Sequence, residues 1–149
     1  MKNLAENKKA YYDYEILEKF EAGIALTGQE VKSSKLKKAN LQGSFVVIQN
    51  EQPRLLGAKI PAYQPKNAPP DYDPERTRTL LLKKQEIKRL IGKTAQKGLT
   101  LVPLRVYTNR GKVKIEIALV KHKSKPNKRE QLKKRDVQRE IERELKGKS

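Results

Sequence analysis

The longest regular pattern in the chain is a pair of facing strands. Residues 99–108 and 112–120 flank Asn109-Arg110-Gly111, a short turn segment that supplies the glycine a tight hairpin favours. In the second strand Val113, Ile115, Ile117 and Leu119 point one way, and Lys112, Lys114 and Glu116 point the other. That period of two describes a strand with one face on a core and one in water. The hairpin therefore predicts an antiparallel sheet that is wet on one side.

The rest of the chain supplies partners for it. Tyr14, Ile16, Glu18, Phe20 and Ala22 alternate with the same period and predict a first strand, one face partly polar. Thr27 and Glu30 stand at capping-box spacing, with Leu26 and Val31 at the staple positions, so a helix should open there and run over about 28–38. Lys32, Lys35, Lys37 and Lys38 collect at its far end, where the helix dipole favours cations. Residues 44–49 are β-branched and aromatic, residues 50–53 punctuate, and 54–60 read as the antiparallel return. The five prolines between 61 and 74 predict a surface loop. Residues 77–82 fit a strand or a helix. Ile87, Leu90, Ile91, Thr94 and Ala95 then share one helical face, ending at Gly98 as a left-handed cap, although Gly92 within it costs about 1 kcal/mol against alanine.

About six short strands and two helices predict a mainly β chain with flanking helices. The leading architecture is a small antiparallel Greek-key barrel of the oligonucleotide-binding type. Residues 1–120 form this one domain, its first ten residues a short basic arm. Residues 121–149 form a basic tail.

Charge limits what such a barrel can do. Charged residues make up 35% of the 149 and the formal net charge is +18, a field that favours an anionic partner, nucleic acid or a membrane surface. No apolar run approaches a membrane span, and the first ten residues lack the apolar core of a signal peptide. Cysteine is absent, which removes disulfides and thiolate metal sites. These features predict a cytoplasmic nucleic-acid binder with no membrane contact, no cofactor and no metal.

Catalytic signals are nearly absent. The single histidine, His122, lies in a basic stretch with no nucleophile or carboxylate beside it in sequence. Gly92-Lys93-Thr94 imitates the end of a phosphate-binding loop, but Ile87 occupies the position where that loop needs its first glycine. The Glu15/Glu18 pair reads as surface charge. No catalytic residue is assigned. The wet strand face carrying Lys112 and Lys114, a basic helix end and tyrosines able to stack on bases point, with the net charge, to RNA recognised mainly through phosphate and shape.

Several stretches resemble one family over nearly the whole chain and in order. They are Phe20-Glu-Ala-Gly23, Gly28-Gln-Glu-Val-Lys-Ser33, Lys38-Ala-Asn40, Asp73-Pro-Glu-Arg-Thr-Arg78, Leu80-Leu-Leu82, Leu90-Ile-Gly-Lys93, Lys97-Gly-Leu-Thr-Leu-Val-Pro-Leu104 and Lys112-Val-Lys114. The family is that of the SsrA-binding proteins of bacterial trans-translation. The resemblance implies the same barrel, and binding to the tRNA-like domain of transfer-messenger RNA. It implies that RNA and protein enter stalled ribosomes together, with elongation factor Tu as an indirect partner through the RNA. The family's RNA-contacting positions fall on Asn7, Glu21, Leu81 and Lys112. A carboxylate repels phosphate, so Glu21 would accept from a base amino group or a 2′-hydroxyl. The alternative for Glu21 is a salt bridge within the barrel.

The tail carries Lys123, Lys128, Arg129, Arg135, Arg139 and Arg143. The expectation for it is a segment disordered when free and helical in the vacant messenger channel near the decoding region, its arginine stripe on phosphates. Where the family carries an aromatic residue or His and then Asp-Lys-Arg, this chain reads Pro126-Asn127-Lys128-Arg129. A structural ribosomal protein with a barrel and a basic tail is the rival reading, and an enzyme a distant third.

Overall fold

Thr27 and Glu30 close the capping box that their spacing predicts. In the computed structural model, which describes residues 2–123, Thr27 Oγ1 accepts from the Glu30 amide at 3.3 Å and the Glu30 carboxylate accepts from the Thr27 amide at 2.9 Å. The described residues form seven strands and three α-helices. In chain order these are β1 (Lys2–Glu6), α1 (Lys8–Asp13), β2 (Tyr14–Ile24), α2 (Gly28–Lys35), β3 (Phe45–Gln49), β4 (Gln52–Leu56), β5 (Arg78–Leu81), α3 (Lys84–Thr94), β6 (Leu99–Asn109) and β7 (Lys112–His122).

All strand pairs are antiparallel, in the order β1-β6-β3-β4-β5-β2-β7, and β6 also pairs β7. That last pairing closes a barrel of six strands with β1 added alongside β6. Strands β3, β4 and β5 are sequential neighbours, and β2, which leads through α2 into β3, lies beside β5, which is the Greek-key arrangement. The hairpin turns use consecutive left-handed residues, Asn50 and Glu51 (φ 51° and 60°) and Arg110 and Gly111 (φ 52° and 76°), whose twist suits two-residue loops. Leu80, Leu101, Val106, Ile115 and Ile117 fill the barrel, and Leu90 of α3, fully buried, joins the same core.

Several expectations need correction. The N-terminal residues are not an arm: β1 pairs β6 from Lys2↔Thr108 to Glu6↔Arg105, and Leu4 is buried in the core. Its partner lies about a hundred residues away, so no local pattern announces it. Helix α1 was equally invisible. Its Ala10 packs with Val102, Leu104, Ala118 and Val120, so Leu101–Leu104 and Ile117–Val120 are buried, and the hairpin is wet on the half bearing Lys112, Lys114 and Glu116 and again at Lys121 and His122. A bulge between Ile16 and Glu18 moves Ile16 onto this second cluster while Phe20 stays in the barrel.

The 77–82 stretch is the strand β5, because Arg78 and Leu80 must both turn inward. The hairpin partner of β3 is shorter than expected, ending at Leu56, and Pro53 lies within it. Helix α2 stops at Lys35, where Lys37 (φ 62°) takes the left-handed position and the Lys38 amide donates to Ser33 O at 3.2 Å. Helix α3 ends at Thr94, with left-handed Gly98 (φ 86°) opening β6 rather than capping the helix directly. Strand β7 continues to His122, so Lys121 and His122 belong to the sheet. The tail helix and the cations Lys128, Arg129, Arg135, Arg139 and Arg143 lie outside the described residues.

Candidate nucleic-acid interface

Register decides which polar side chains meet. Across β2, β7 and β6, Glu21 faces Glu116, which faces Arg105; one step along, Gly23 faces Lys114, which faces Tyr107. On its other edge β2 pairs β5, with Gly23 opposite Leu81. Gly23, Leu81, Gly111, Lys112 and Lys114 therefore border one groove of ≈ 420 Å³, with Ile24 beside them. Leu81 is 62% exposed, an unusual position for a leucine in the middle of a basic surface.

Each of these positions has a local cause. Gly111 holds the left-handed turn that delivers Lys112 to the start of β7. Gly23 lets β5 come close, since a Cβ there would stand 3.2 Å from the Leu81 Cβ. Leu81 itself is held at the end of β5 by an anchor at the strand's beginning. The fully buried Arg78 meets the buried Glu30 carboxylate at 2.7 Å and donates to Ala58 O at 2.8 Å and Pro74 O at 3.0 Å. Arg76 reaches the other Glu30 oxygen at 2.6 Å. Burial would raise the Glu30 pKa, but the Arg76 hydrogen bond, the Thr27 amide and the Arg78 guanidinium outweigh it and hold the carboxyl below its ordinary value. The sequence showed Glu30 only as a helix cap. The same carboxylate also ties α2 to the Asp73–Arg78 stretch, and no spacing rule links residues 48 positions apart.

Glu21 is exposed and makes no salt bridge among the described residues. Its partner is a phenol: Tyr107 donates its hydroxyl to the Glu21 carboxylate. The Tyr107 ring is buried beneath Arg105, whose guanidinium lies 4.2 Å from the ring centroid and bonds Glu116 at 3.4 Å and Asn3 Oδ1 at 2.8 Å. Burial first, then the hydrogen bond to Glu21, pushes the Tyr107 pKa well up. One carboxylate oxygen is thus fixed from within, and the exposed Glu21 stands two residues along β2 from Gly23, which lines the groove. Tyr107 and Arg105 were missed at the sequence level, although the β6–β7 register alone would have placed Tyr107 beside Lys114.

Four of the five barrel positions expected to contact RNA, Glu21, Leu81, Lys112 and Lys114, share this one region. Asn7 does not. It is 5% exposed, donates its side-chain amide to Pro103 O at 2.9 Å and its backbone amide to Leu104 O at 2.7 Å, and borders a different recess beside α1. Lys123 follows the end of β7, its amide on Asp13 O at 3.3 Å. Glu18, read as surface charge, bonds Arg89 of α3 at 3.0 Å. Among the described residues, no group of His, Asp and Glu side chains is placed to hold a metal ion, and no helix is long and apolar enough to cross a membrane.

Fold and groove together define a small, strongly basic, antiparallel-barrel protein with a lysine-rimmed cleft on its open sheet face. The chain belongs to the SmpB family: the family model, described as SmpB protein, matches residues 4–147. It is 54% identical over 147 residues to the SsrA-binding protein of Sulfurihydrogenibium sp. (strain YO3AOP1), covering 99% of this chain and 96% of that one. It is 52% identical over 147 residues to the SsrA-binding protein of Thermosipho africanus (strain TCF52B), covering 98% of each. A solved structure described as "tmRNA-SmpB: a journey to the center of the bacterial ribosome" superposes with a TM-score of 0.67 at 47% sequence identity, over 83% of this chain and 86% of the other.

Proposed function

We propose that this chain is an RNA-binding ribosome-rescue factor of trans-translation with no catalytic activity of its own. The barrel binds the tRNA-like domain of transfer-messenger RNA, and the complex acts on stalled ribosomes in the cytoplasm. Elongation factor Tu takes part indirectly, through the RNA. The observation that carries this reading is the convergence of Lys112, Lys114 and Leu81 on one groove, with the Tyr107-held Glu21 two residues along β2 from Gly23 of its lining. Lysines attract phosphate, an exposed leucine offers an apolar contact to a base or ribose, and a carboxylate held by Tyr107 selects a donor. Asn7 acts from beneath the sheet by fixing the start of α1 on β6. The basic tail, from Lys123 through Lys128, Arg129, Arg135, Arg139 and Arg143, enters the vacant messenger channel.

The test is affinity against salt for a tRNA-like RNA. Lys112→Ala should weaken binding and reduce the slope of log K against log salt by about one, the contribution of a single phosphate contact. Glu21→Ala should weaken binding and leave the slope nearly unchanged, since it removes an acceptor and no cation. Equal affinity of both variants and the parent would overturn the groove as the RNA site.

A further inference from the structure

Two rows of residues cross four strands, and both run from the groove's edge out to β1. In one row Gly23 of β2, Lys114 of β7, Tyr107 of β6 and Asn3 of β1 stand opposite one another in turn. In the neighbouring row the order is Glu21, Glu116, Arg105 and Glu6. Three carboxylates and one guanidinium therefore share a row, at strand spacings of about 5 Å. Like charges directly opposite repel, and Glu21 faces Glu116 across the β2–β7 pair.

Arg105 answers that repulsion from the far side of Glu116. Its Nε donates to Glu116 at 3.4 Å, its Nη1 donates to Asn3 Oδ1 at 2.8 Å, and its guanidinium lies 4.2 Å from the Tyr107 ring centroid. The Asn3 amide in turn donates to the Glu6 carboxylate at 2.7 Å. Glu116 and Glu6 are thereby both engaged, and Glu21 keeps the Tyr107 phenol as its partner. Asn3, Arg105 and Glu116 are all absent from the groove's lining. An ion pair as open to water as Arg105–Glu116, with side chains 24% and 19% exposed, contributes little to stability.

We infer that Arg105 is a positioning residue for RNA recognition, acting through Glu21 without touching RNA, and that Asn3 of β1 holds it in place. Two effects combine on the one carboxylate. Pairing Glu116 removes the repulsion that would push Glu21 away from its place opposite. Holding the Tyr107 ring by its face fixes the hydroxyl that orients Glu21. The N-terminal strand thus acts on the groove's edge from across the sheet. The inference rests on the reading of Glu21 as an RNA contact and extends it to residues that contact reaches only through the sheet.

The test is affinity of the full chain for a structured tRNA-like RNA across a salt series, in parent and Glu21→Ala backgrounds. In the parent, Arg105→Met should weaken binding about threefold or more, the scale of one cation–π contact or hydrogen bond, with the salt slope nearly unchanged. Adding Glu116→Gln to Arg105→Met should restore part of that loss, because the unpaired carboxylate is gone. Asn3→Ala, on an exposed strand, should weaken binding about twofold and add nothing to Arg105→Met. In the Glu21→Ala background neither Arg105→Met nor Asn3→Ala should weaken binding further. A slope lowered by about one in Arg105→Met would mark a direct phosphate contact and overturn the inference. Equal losses with and without Glu21 would overturn it too, as would parent affinity in both Arg105→Met and Asn3→Ala. Should Arg105→Met fail to fold, Asn3→Ala and its dependence on Glu21 decide alone. Those failures leave Glu21→Ala impaired and the groove standing, whereas parent affinity in Glu21→Ala would overturn the Glu21 contact and this inference together.

Discussion

Gly23 faces Leu81 across the β2–β5 pair with a tight fit for a methyl group between them; a Cβ on Gly23 would lie 3.2 Å from the Leu81 Cβ. Leu81 is the last residue of β5 and exposed, so the strand end can give by the few tenths of an ångström that its Cβ must move. Gly23→Ala should therefore keep most of its stability, within about 1 kcal/mol of the parent by urea unfolding. It should bind tRNA-like RNA more weakly, because the displaced leucine narrows the groove. A large stability loss with unchanged affinity would contradict this account.

The Glu30–Arg78 pair should show strong non-additivity. Removing either partner leaves a buried charge behind, so Glu30→Met and Arg78→Met should each cost about 3–5 kcal/mol. The double variant should lose much less than their sum. A double-mutant cycle by denaturant unfolding measures the coupling; simple addition of the two costs would show that the charges are not mutually dependent.

Acid should act on the same carboxylate. The folded-state pKa of Glu30 lies below its ordinary 4.5, so its contribution is present above that value and is lost as pH falls through the folded value. The stability gap between the parent and Glu30→Gln should thus be widest near neutrality and shrink as pH drops below about 4.5. Unfolding midpoints of both proteins across an acid series check the sign.

Tyr107→Phe isolates the support of Glu21. The fold should survive with a loss of about 1 kcal/mol, while RNA affinity falls about two- to tenfold with no change in salt slope, since the carboxylate is no longer held. Because the folded pKa of Tyr107 is raised above the ordinary 10.0, its contribution is complete below that pH and is lost progressively above it. The alkaline decline in stability should be shallower in Tyr107→Phe.

Truncation after Lys123 keeps all of β7 and its contact with Asp13. We expect binding to free tRNA-like RNA to stay nearly intact and rescue of stalled ribosomes to be lost. Normal rescue by the truncated chain in a reconstituted translation assay would remove the tail from the mechanism.

Local signals were legible where chemistry acts over a few residues. Thr27 and Glu30 marked the start of their helix to the residue, and the alternation of residues 112–117 marked the wet face on which Lys112 and Lys114 lie. What escaped was set by partners far along the chain. Lys2 to Glu6 carries no strand pattern and is a strand because β6 offers it an edge. Ala10 and the Tyr107–Glu21 bond likewise depend on neighbours that only the register reveals.

The pairing of β2 with β7 also fixes when the molecule can exist. Tyr14 waits for His122 and Gly23 for Lys114, so the barrel closes around the last strand to be synthesised. Bringing such ends together costs roughly 2 kcal/mol more in loop entropy than closing a ten-residue hairpin, and nothing in β2 through β5 substitutes for β7. A nascent chain halted anywhere before residue 112 has an open seam along β2 and β6 and half a groove. Folding is thereby a proofreading of length: only a message read through the barrel's final strand yields a chain with its groove complete.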